Sequence, residues 1–126
     1  MTRPRRKPPS TLTARTADRH ALYEIAVQRP EVIVGFIDEL ADATDRRPMQ
    51  RLREDFCGTA NLASFWVADD PQRQAIGVDL DPDVIDWAQR HNRRPLGHAA
   101  DRLALIEADV MTADAPPADA LVSLNF

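Results

Sequence analysis

Hydrophobic and polar positions follow two different periods along this chain. Between residues 17 and 48, apolar residues recur every three or four positions, which predicts helices. A first helix begins near Asp18 and ends before Pro30, because a proline disfavours helical geometry in the residue before it. Pro30 then suits the first turn of a second helix. The expected buried stripe of that second helix consists of Ile33, Phe36, Ile37 and Leu40.

From residue 49 to residue 126 the pattern changes to short apolar runs separated by helical stretches. The runs predict about four strands, at 50–56, 74–79, 103–109 and 119–126. Helices follow the first two strands, and we expect Thr59 to cap one and Asp81 the other. Strands that alternate with helices indicate an α/β fold, with a parallel sheet flanked by helices. The last apolar strand has no helix after it, so we expect an incomplete domain.

The distribution of charge distinguishes the first 16 residues from the remainder of the chain. Residues 1–16 contain five Lys or Arg residues and no acid, and their prolines oppose a helix, so we expect a basic, disordered leader. The whole chain carries −4, which leaves −9 for the remainder. Such an acidic folded part is a poor general binder of nucleic acid. The expected organisation is a leader at 1–16, N-terminal helices at 17–48 and the α/β unit at 49–126.

Several functional classes are not expected. No apolar run approaches the roughly 18–20 residues that span a bilayer, so a membrane location is not expected. Cys57 is the only cysteine and cannot form an internal disulfide, which favours a reducing cytoplasm. No histidine lies near Cys57 in the sequence to activate it as a nucleophile. His91 and His98 lack companion ligands, so we expect no metal site.

Three carboxylates fall near the ends of predicted strands, namely Glu54, Asp79 and Asp109. In an open parallel sheet, ligands bind beyond the carboxyl ends of the strands. Asp79 follows Gly58 by 21 residues, the spacing expected between a glycine turn and an acid that binds ribose hydroxyls. Each aspartate alone has an equally ordinary explanation, since Asp favours helix caps and turns. Together, at three strand ends, the acids favour a nucleoside site.

The residues of the turn distinguish between nucleosides. A dinucleotide needs G-x-G-x-x-G so that the backbone can approach a pyrophosphate, and here Gly58 is the only glycine of the turn. Glu54 beside the turn would repel a pyrophosphate and would suit a cationic amine. S-adenosylmethionine carries an amine, a carboxylate and a ribose diol and has no phosphate. The sequence therefore favours S-adenosylmethionine over a nicotinamide dinucleotide.

Four segments of the chain resemble motifs of the class I S-adenosylmethionine-dependent methyltransferases. Residues 54–60, EDFCGTA, resemble the first motif of that family, an acid followed by G-x-G-x-G. GVDLD at 77–81 looks like the second motif, EADV at 107–110 looks like the third, and 119–126 is similar to the fourth. The segments 23–28 and 52–60 together resemble a bacterial subgroup. The resemblance implies a Rossmann-like parallel sheet flanked by helices, of which only part is present.

The resemblance also implies which residues bind the methionine end of the cofactor. Glu54 would face its amino group, directly or through water. Gly58, with its neighbours Phe56 and Cys57, would hold the methionine portion. Phe56 and Ala60 stand where the family has its outer glycines, so we expect a narrower turn.

Further residues are implied at the adenosine end and on the substrate side. Asp79 would bind the ribose hydroxyls, with Leu80 against the adenine. Asp109 would accept a hydrogen bond from the adenine amine, aided by the backbone of Val110. The substrate-side candidates are Asn125 and Tyr23.

The resulting prediction is the cofactor-binding half of an S-adenosylmethionine-dependent methyltransferase, acting by in-line displacement at the sulfonium methyl. The sequence names neither the methyl acceptor nor a catalytic residue. Two alternatives stay open: a truncated, non-catalytic fragment with a vestigial nucleotide fold, and a fragment of an NAD-dependent oxidoreductase. The single turn glycine and Glu54 disfavour the oxidoreductase.

Overall fold

The computed structural model describes residues 18–21, 24, 29–46 and 48–124. The basic leader at 1–16 and the substrate-side candidates Tyr23 and Asn125 lie outside these residues. Within the described ranges, no helix has both the length and the apolar character needed to cross a membrane.

Helices and strands alternate through the described part of the chain. The helices are α1 (Pro30–Ala43), α2 (Asn61–Asp69) and α3 (Pro82–Ala88), and α3 continues as a π-helical turn (Gln89–Arg93) and a 3-10 segment (Arg94–Arg102). The strands are β1 (Arg51–Asp55), β2 (Gln74–Asp79), β3 (Leu103–Glu107) and β4 (Ala120–Ser123). They pair in parallel in the order β3-β2-β1-β4. The predicted α/β fold with a parallel sheet is therefore confirmed.

The strand order determines where a ligand would bind. β1 lies between β2 and β4, so the chain moves to one side of β1 for β2 and β3 and returns to its other side for β4. Asp55 pairs with Val78 and with Ser123, so the ends of these three strands lie level. In sheets of this type the ligand crevice lies outside the carboxyl ends of the strands, where the strand order reverses.

The core centres on α2 where it packs against the sheet, and α1 and α3 add buried residues to it. Trp66 of α2 is fully buried, and its Nε1 donates to the carbonyl oxygens of Gln50 and Gln74 at 3.1 Å each. A buried indole N–H needs a partner, so these bonds fix α2 against the start of β1 and of β2. The buried residues that the strands contribute include Leu52, Ala75 and Leu103.

Two expected members of the α1 stripe are exposed, which corrects the prediction. Phe36 and Leu40 are 58% and 45% exposed, and Val32, four residues before Phe36, is also exposed. Apolar residues occupy more than one side of this helix, so their spacing could not determine which side faces the core. The buried positions of α1 are Val34, Ile37 and Ala41.

The prediction that Thr59 caps α2 is also wrong. Ala60 occupies the N-cap position in the left-handed conformation, and no side chain at that position bonds to the helix. Thr59 instead donates its hydroxyl hydrogen to Glu24 at 3.0 Å. The predicted cap of α3 is confirmed, since the Asp81 carboxylate accepts from the Asp83 N–H at 2.9 Å.

Candidate functional site

The turn between β1 and α2 has an unusual backbone. Phe56, Gly58 and Ala60 have φ angles of 54°, 55° and 57°, so every second residue is left-handed. Only glycine adopts this conformation without strain, because a Cβ crowds the neighbouring carbonyl oxygen. The turn therefore has a backbone suited to three glycines although the sequence supplies one. Phe56 and Ala60, which stand where the family motif has its outer glycines, do not prevent the left-handed geometry.

Asp79 at the end of β2 binds this turn directly. Its Oδ2 accepts from the Gly58 N–H at 2.9 Å, and its Oδ1 accepts from the Asp81 N–H at 3.0 Å. Asp81, not Asp79, caps α3. The carboxylate of Asp79 is therefore fixed between the turn and the start of the next helix, and it is only half-buried. Carboxylate oxygens have further lone pairs, which leaves acceptor capacity toward a ligand.

Cys57 packs beneath the turn. Its side chain is fully buried, and its N–H donates to the carbonyl oxygen of Val78 at 3.0 Å. A Cβ built on Gly77 would lie 2.9 Å from the Cys57 Sγ, so the two residues are in close contact. Burial raises the pKa of the thiol well above its usual range. A buried thiol that stays protonated is unsuited to be a nucleophile.

Glu54 lies under the same turn, on the helix side of β1. The residue is 2% exposed, and its Oε1 accepts from the Ala63 N–H at 3.2 Å. Ala63 is the third residue of α2, where a helix has an N–H with no partner inside the helix. Glu54 thus supplies the hydrogen bond that the N-cap residue Ala60 cannot. Its contact with a cofactor amine stays a prediction.

The protonation state of Glu54 changes the charge that the sequence predicts beside the turn. Burial raises the pKa of Glu54 to about 8, the Ala63 N–H opposes this rise, and the negative charge of Asp79 adds to it. The ligand-free protein at neutral pH therefore holds this carboxyl mostly protonated. Negative charge near the turn comes from Asp79 and Asp81 rather than from Glu54.

A cavity of about 320 Å³ lies where the turn meets the end of β2. It opens at the carboxyl ends of the strands, where the sheet order predicts a ligand. Leu80, adjacent to Asp79, is 68% exposed, which leaves an apolar surface beside the cavity. The residues lining the cavity are Arg19, His20, Phe56, Gly58, Thr59, Asp79, Asp81 and Val84.

A second cavity of about 310 Å³ lies near the starts of the strands. Its lining includes Arg51 and Gln74, the first residues of β1 and β2. Ligands of parallel α/β sheets bind at the opposite, carboxyl end. The cavity beside Gly58 is therefore the better candidate.

Asp109 is a turn residue in the structure. Its Oδ1 accepts from the Met111 N–H at 2.9 Å, and its carbonyl oxygen accepts from the N–H groups of Thr112 and Ala113. The carbonyl oxygen of neighbouring Val110 accepts from Arg53 at 2.8 Å. Neither Asp109 nor Val110 lines the cavity. Their adenine-binding roles stay predictions.

The segment 18–21 packs beside the cavity. The Trp87 Nε1 donates to Asp18 Oδ2 at 2.6 Å, and the Trp87 ring lies between two imidazoles, 5.4 Å from His20 and 4.4 Å from His91 by ring centroids. Asp18 also accepts from the N–H of His20, which confirms a helix start near this residue. These contacts hold residues 18–21 against α3.

Sequence reasoning missed Arg19 and His20 as cavity residues. Both contact Asp83, which lies more than 60 positions further along the chain. No spacing or motif relates such distant positions. The one available signal was charge, since Arg19 and His20 stand at the start of a helix in an otherwise acidic part of the chain.

A metal ion would need several ligating side chains close together. Among the described residues, no three His, Cys, Asp or Glu side chains lie close enough together to hold a metal ion.

Three solved structures resemble this fold. An RNA methyltransferase from Salinibacter ruber in complex with S-adenosyl-L-homocysteine has a TM-score of 0.60 and 22% identity, covering 77% of this chain and 60% of its own. An amino pentose methyltransferase from Micromonospora echinaspora with S-adenosylmethionine bound has a TM-score of 0.61 and 18% identity, covering 95% and 45%. An S-adenosylmethionine-dependent methyltransferase from Geobacter sulfurreducens in complex with S-adenosyl-L-homocysteine has a TM-score of 0.57 and 20% identity, covering 86% and 43%.

This chain spans between 43% and 60% of the length of those three proteins. No protein-family model matches its sequence, and no curated protein matches it. Identities this low carry information about fold alone. On sheet order, turn position and these likenesses, the chain has the Rossmann-like fold of the class I S-adenosylmethionine-dependent methyltransferases.

Proposed function

We propose that this chain is the cofactor-binding half of an S-adenosylmethionine-dependent methyltransferase. One observation carries the proposal: the Asp79 carboxylate accepts from the Gly58 N–H at 2.9 Å, at the edge of a cavity at the strand ends. An acid placed there can accept both hydroxyl hydrogens of a ribose. The left-handed backbone of the turn brings main-chain groups, without a side chain at Gly58, to the same cavity.

The charge of the cavity favours this cofactor over a dinucleotide. Asp79 and Asp81 both line it, and a pyrophosphate would meet two carboxylates. S-adenosylmethionine has a sulfonium and an ammonium against one carboxylate, so its net charge suits an acidic cavity. The proteins of the same fold whose structures contain S-adenosylmethionine or S-adenosyl-L-homocysteine support this choice.

We further propose roles for four residues, namely Asp79, Leu80, Asp109 and Glu54. Asp79 holds the ribose, and the exposed Leu80 side chain packs against the adenine. Asp109 keeps one carboxylate oxygen for the adenine amine while the other holds its own turn. Glu54 supports the turn from below and, when it loses its proton, can attract the ammonium group.

When bound, the cofactor supplies an electrophilic methyl group: the carbon–sulfur bond breaks as the acceptor's bond to carbon forms, and sulfur keeps the electron pair. The residues of this chain hold and orient the cofactor so that the methyl group points toward the acceptor, which accelerates transfer through positioning. A cytoplasmic location, inferred from the single cysteine, belongs to this proposal.

Calorimetric titration of the full chain tests the proposal. We expect binding of S-adenosylmethionine and S-adenosyl-L-homocysteine and no binding of NAD. Asp79→Asn is expected to weaken both adenosyl ligands at least about tenfold, because hydrogen bonds to a charged group contribute about 1.5–3 kcal/mol. Asp86→Asn is the matched control, since Asp86 is an exposed acid on α3 outside the cavity.

Two results would contradict the proposal. A folded wild-type chain that binds neither adenosyl ligand would remove the cofactor assignment. Binding that Asp79→Asn and Asp86→Asn affect equally would remove the ribose role of Asp79. Circular dichroism spectra of both variants would show that each is folded.

A further inference from the structure

The cavity at the strand ends has an uneven charge. Its described lining contains the carboxylates of Asp79 and Asp81 and, as the one permanently charged cation, the guanidinium of Arg19. His20 lines the same cavity, with a side chain that is 17% exposed. A ligand with an amino-acid portion brings a carboxylate, which needs a cation or N–H groups as partners. Arg19 is therefore the described lining residue best suited to that carboxylate.

The present partner of Arg19 is easily exchanged. Its Nη2 donates to Asp83 Oδ2 at 2.5 Å, and the two side chains are 77% and 62% exposed. Water competes with an ion pair this exposed, so the pair contributes little to stability. Asp83 has a second partner in His20, whose Nε2 lies 3.2 Å from the same oxygen. Arg19 can thus leave Asp83 without leaving that carboxylate unpartnered.

We propose that Arg19 binds the carboxylate of the cofactor's amino-acid portion, exchanging Asp83 for it when the ligand enters. This inference rests on the proposed function and adds a residue that none of the family-like motifs contains. Arg19 lines the same cavity as Phe56 and Gly58, two turn residues of the proposed methionine end. A guanidinium suits a carboxylate because it can donate two parallel hydrogen bonds to it.

The anchoring of the N-terminal segment supports the exchange. Asp18, the residue before Arg19, holds the Trp87 indole at 2.6 Å, and His20, the residue after it, contacts the Trp87 ring. The backbone on both sides of Arg19 is therefore fixed to α3, and only its side chain has to move. Loss of the Arg19–Asp83 pair leaves these anchors intact.

Two ligands that differ only at the amino-acid end test the inference. S-adenosyl-L-homocysteine carries the carboxylate, whereas 5′-methylthioadenosine has the same adenosine and thioether without the amino-acid portion. We expect Arg19→Gln to weaken S-adenosyl-L-homocysteine binding about tenfold or more, measured by calorimetry, and to leave 5′-methylthioadenosine binding unchanged. Arg19→Lys, which keeps the charge, is expected to recover part of the affinity.

Arg90→Gln is the matched control. Arg90 forms an exposed ion pair with Asp86 at 2.9 Å and lies outside the cavity, so its loss should change neither affinity. Asp83→Asn removes the competing partner of Arg19 and is expected to leave S-adenosyl-L-homocysteine binding unchanged or tighter. A marked loss of affinity in Asp83→Asn would contradict the exchange.

The outcomes separate this inference from the proposed function. A wild-type chain that binds neither ligand overturns the proposed function, and this inference with it. A wild-type chain that binds both, with Arg19→Gln affecting both equally or affecting neither, overturns the carboxylate role alone. Thermal unfolding of Arg19→Gln, expected to match the wild type, shows whether a loss of affinity reflects a loss of fold.

Discussion

The carboxyl group of Glu54 takes the place of a helix cap for Ala63. The Ala63 N–H points to Glu54 Oε1 at 3.2 Å, while the N-cap residue Ala60 makes no side-chain bond. The bond links β1 to the first turn of α2 across the left-handed turn. A carboxyl group 2% exposed in this position resists ionisation, because water is not there to solvate its charge.

Stability should therefore depend on pH through Glu54. Its pKa is raised from 4.5 to about 8, so between these values the folded chain holds a proton that the unfolded chain has lost. Stability from this group is highest below about pH 4.5, falls as pH rises and levels off above about pH 8. Because each pKa unit corresponds to about 1.4 kcal/mol, the fall amounts to several kcal/mol.

Glu54→Gln should remove that dependence, since the amide oxygen can still accept from the Ala63 N–H and carries no charge. Urea unfolding from about pH 5 to about pH 9 would measure the difference between wild type and variant. We expect the variant to gain stability relative to wild type as pH rises. A difference that stays constant across this range would contradict the raised pKa.

Gly77→Ala should destabilise the sheet. The new Cβ would lie 2.9 Å from Cys57 Sγ and 3.0 Å from Leu105 Cδ2, closer than side chains normally approach. We expect a loss of about 1–3 kcal/mol in the free energy of unfolding, typical of overpacking in a core. Gly35→Ala is the control, because a Cβ there meets nothing within 4 Å and alanine favours a helix.

A second substitution tests the cause of that loss. Cys57→Ala removes the sulfur while keeping the Cβ, which would still lie 3.1 Å from the new group. The double variant Gly77→Ala/Cys57→Ala should therefore recover part of the lost stability, and the two changes should not add. Simple additivity in urea unfolding would show that the sulfur contact is not the cause.

The fold was largely predictable from the sequence, because strands and connecting helices are set by local patterns. The bounds of β2 match the prediction at both ends, since a buried run lies between turn-forming residues. The rotation of α1 was not predictable. Phe36 and Ile37 are both strongly apolar, and only packing in the tertiary structure decides that Ile37 joins the core while Phe36 is exposed.

The site was predictable only where one motif follows another at a known distance. The spacing of Gly58 and Asp79 anticipated two residues that are in fact hydrogen-bonded. Arg19 lies near the N-terminal end of the described residues and lines the same cavity only through tertiary packing. The sequence has no local signal for that packing. The raised pKa of Glu54 likewise arises from burial that spacing does not reveal.

Gly58→Ala and Gly97→Ala should both lower stability, and only one of them should weaken binding. Both glycines have positive φ, 55° and 63°, and a Cβ at either meets nothing within 4 Å. Backbone strain alone should cost about 1–2 kcal/mol for a left-handed residue such as Gly58. It should cost more at Gly97, whose ψ of −125° lies outside the regions allowed for alanine. Gly58 lines the cavity and Gly97 does not, so only Gly58→Ala should weaken S-adenosyl-L-homocysteine in calorimetry. Equal weakening by both would mean that the loss reflects general destabilisation.

The hydrogen bonds of Glu24 should couple the N-terminal segment, of which residues 18–21 and 24 are described, to the turn. Its Oε2 accepts from Thr59 Oγ1 at 3.0 Å and from Asn92 Nδ2 at 2.9 Å. Thr59 is 2% exposed, so Glu24→Ala leaves a buried hydroxyl without this acceptor and should lose about 1–3 kcal/mol. Thr59→Val should lose less, because Asn92 still bonds to Glu24.

Combining the two changes separates a specific bond from general loosening. In Glu24→Ala/Thr59→Val the hydroxyl that lost its acceptor is itself gone, so the double variant should be more stable than the sum of the single losses implies. Urea unfolding of all four proteins gives the coupling energy, which we expect to be about 0.5–3 kcal/mol. A coupling energy near zero would mean that the Thr59 hydroxyl does not depend on Glu24. The described residues 18–21 and 24 would then be held beside the cavity by the bond from Asn92 to Glu24 and by the contacts with Trp87 and Asp83.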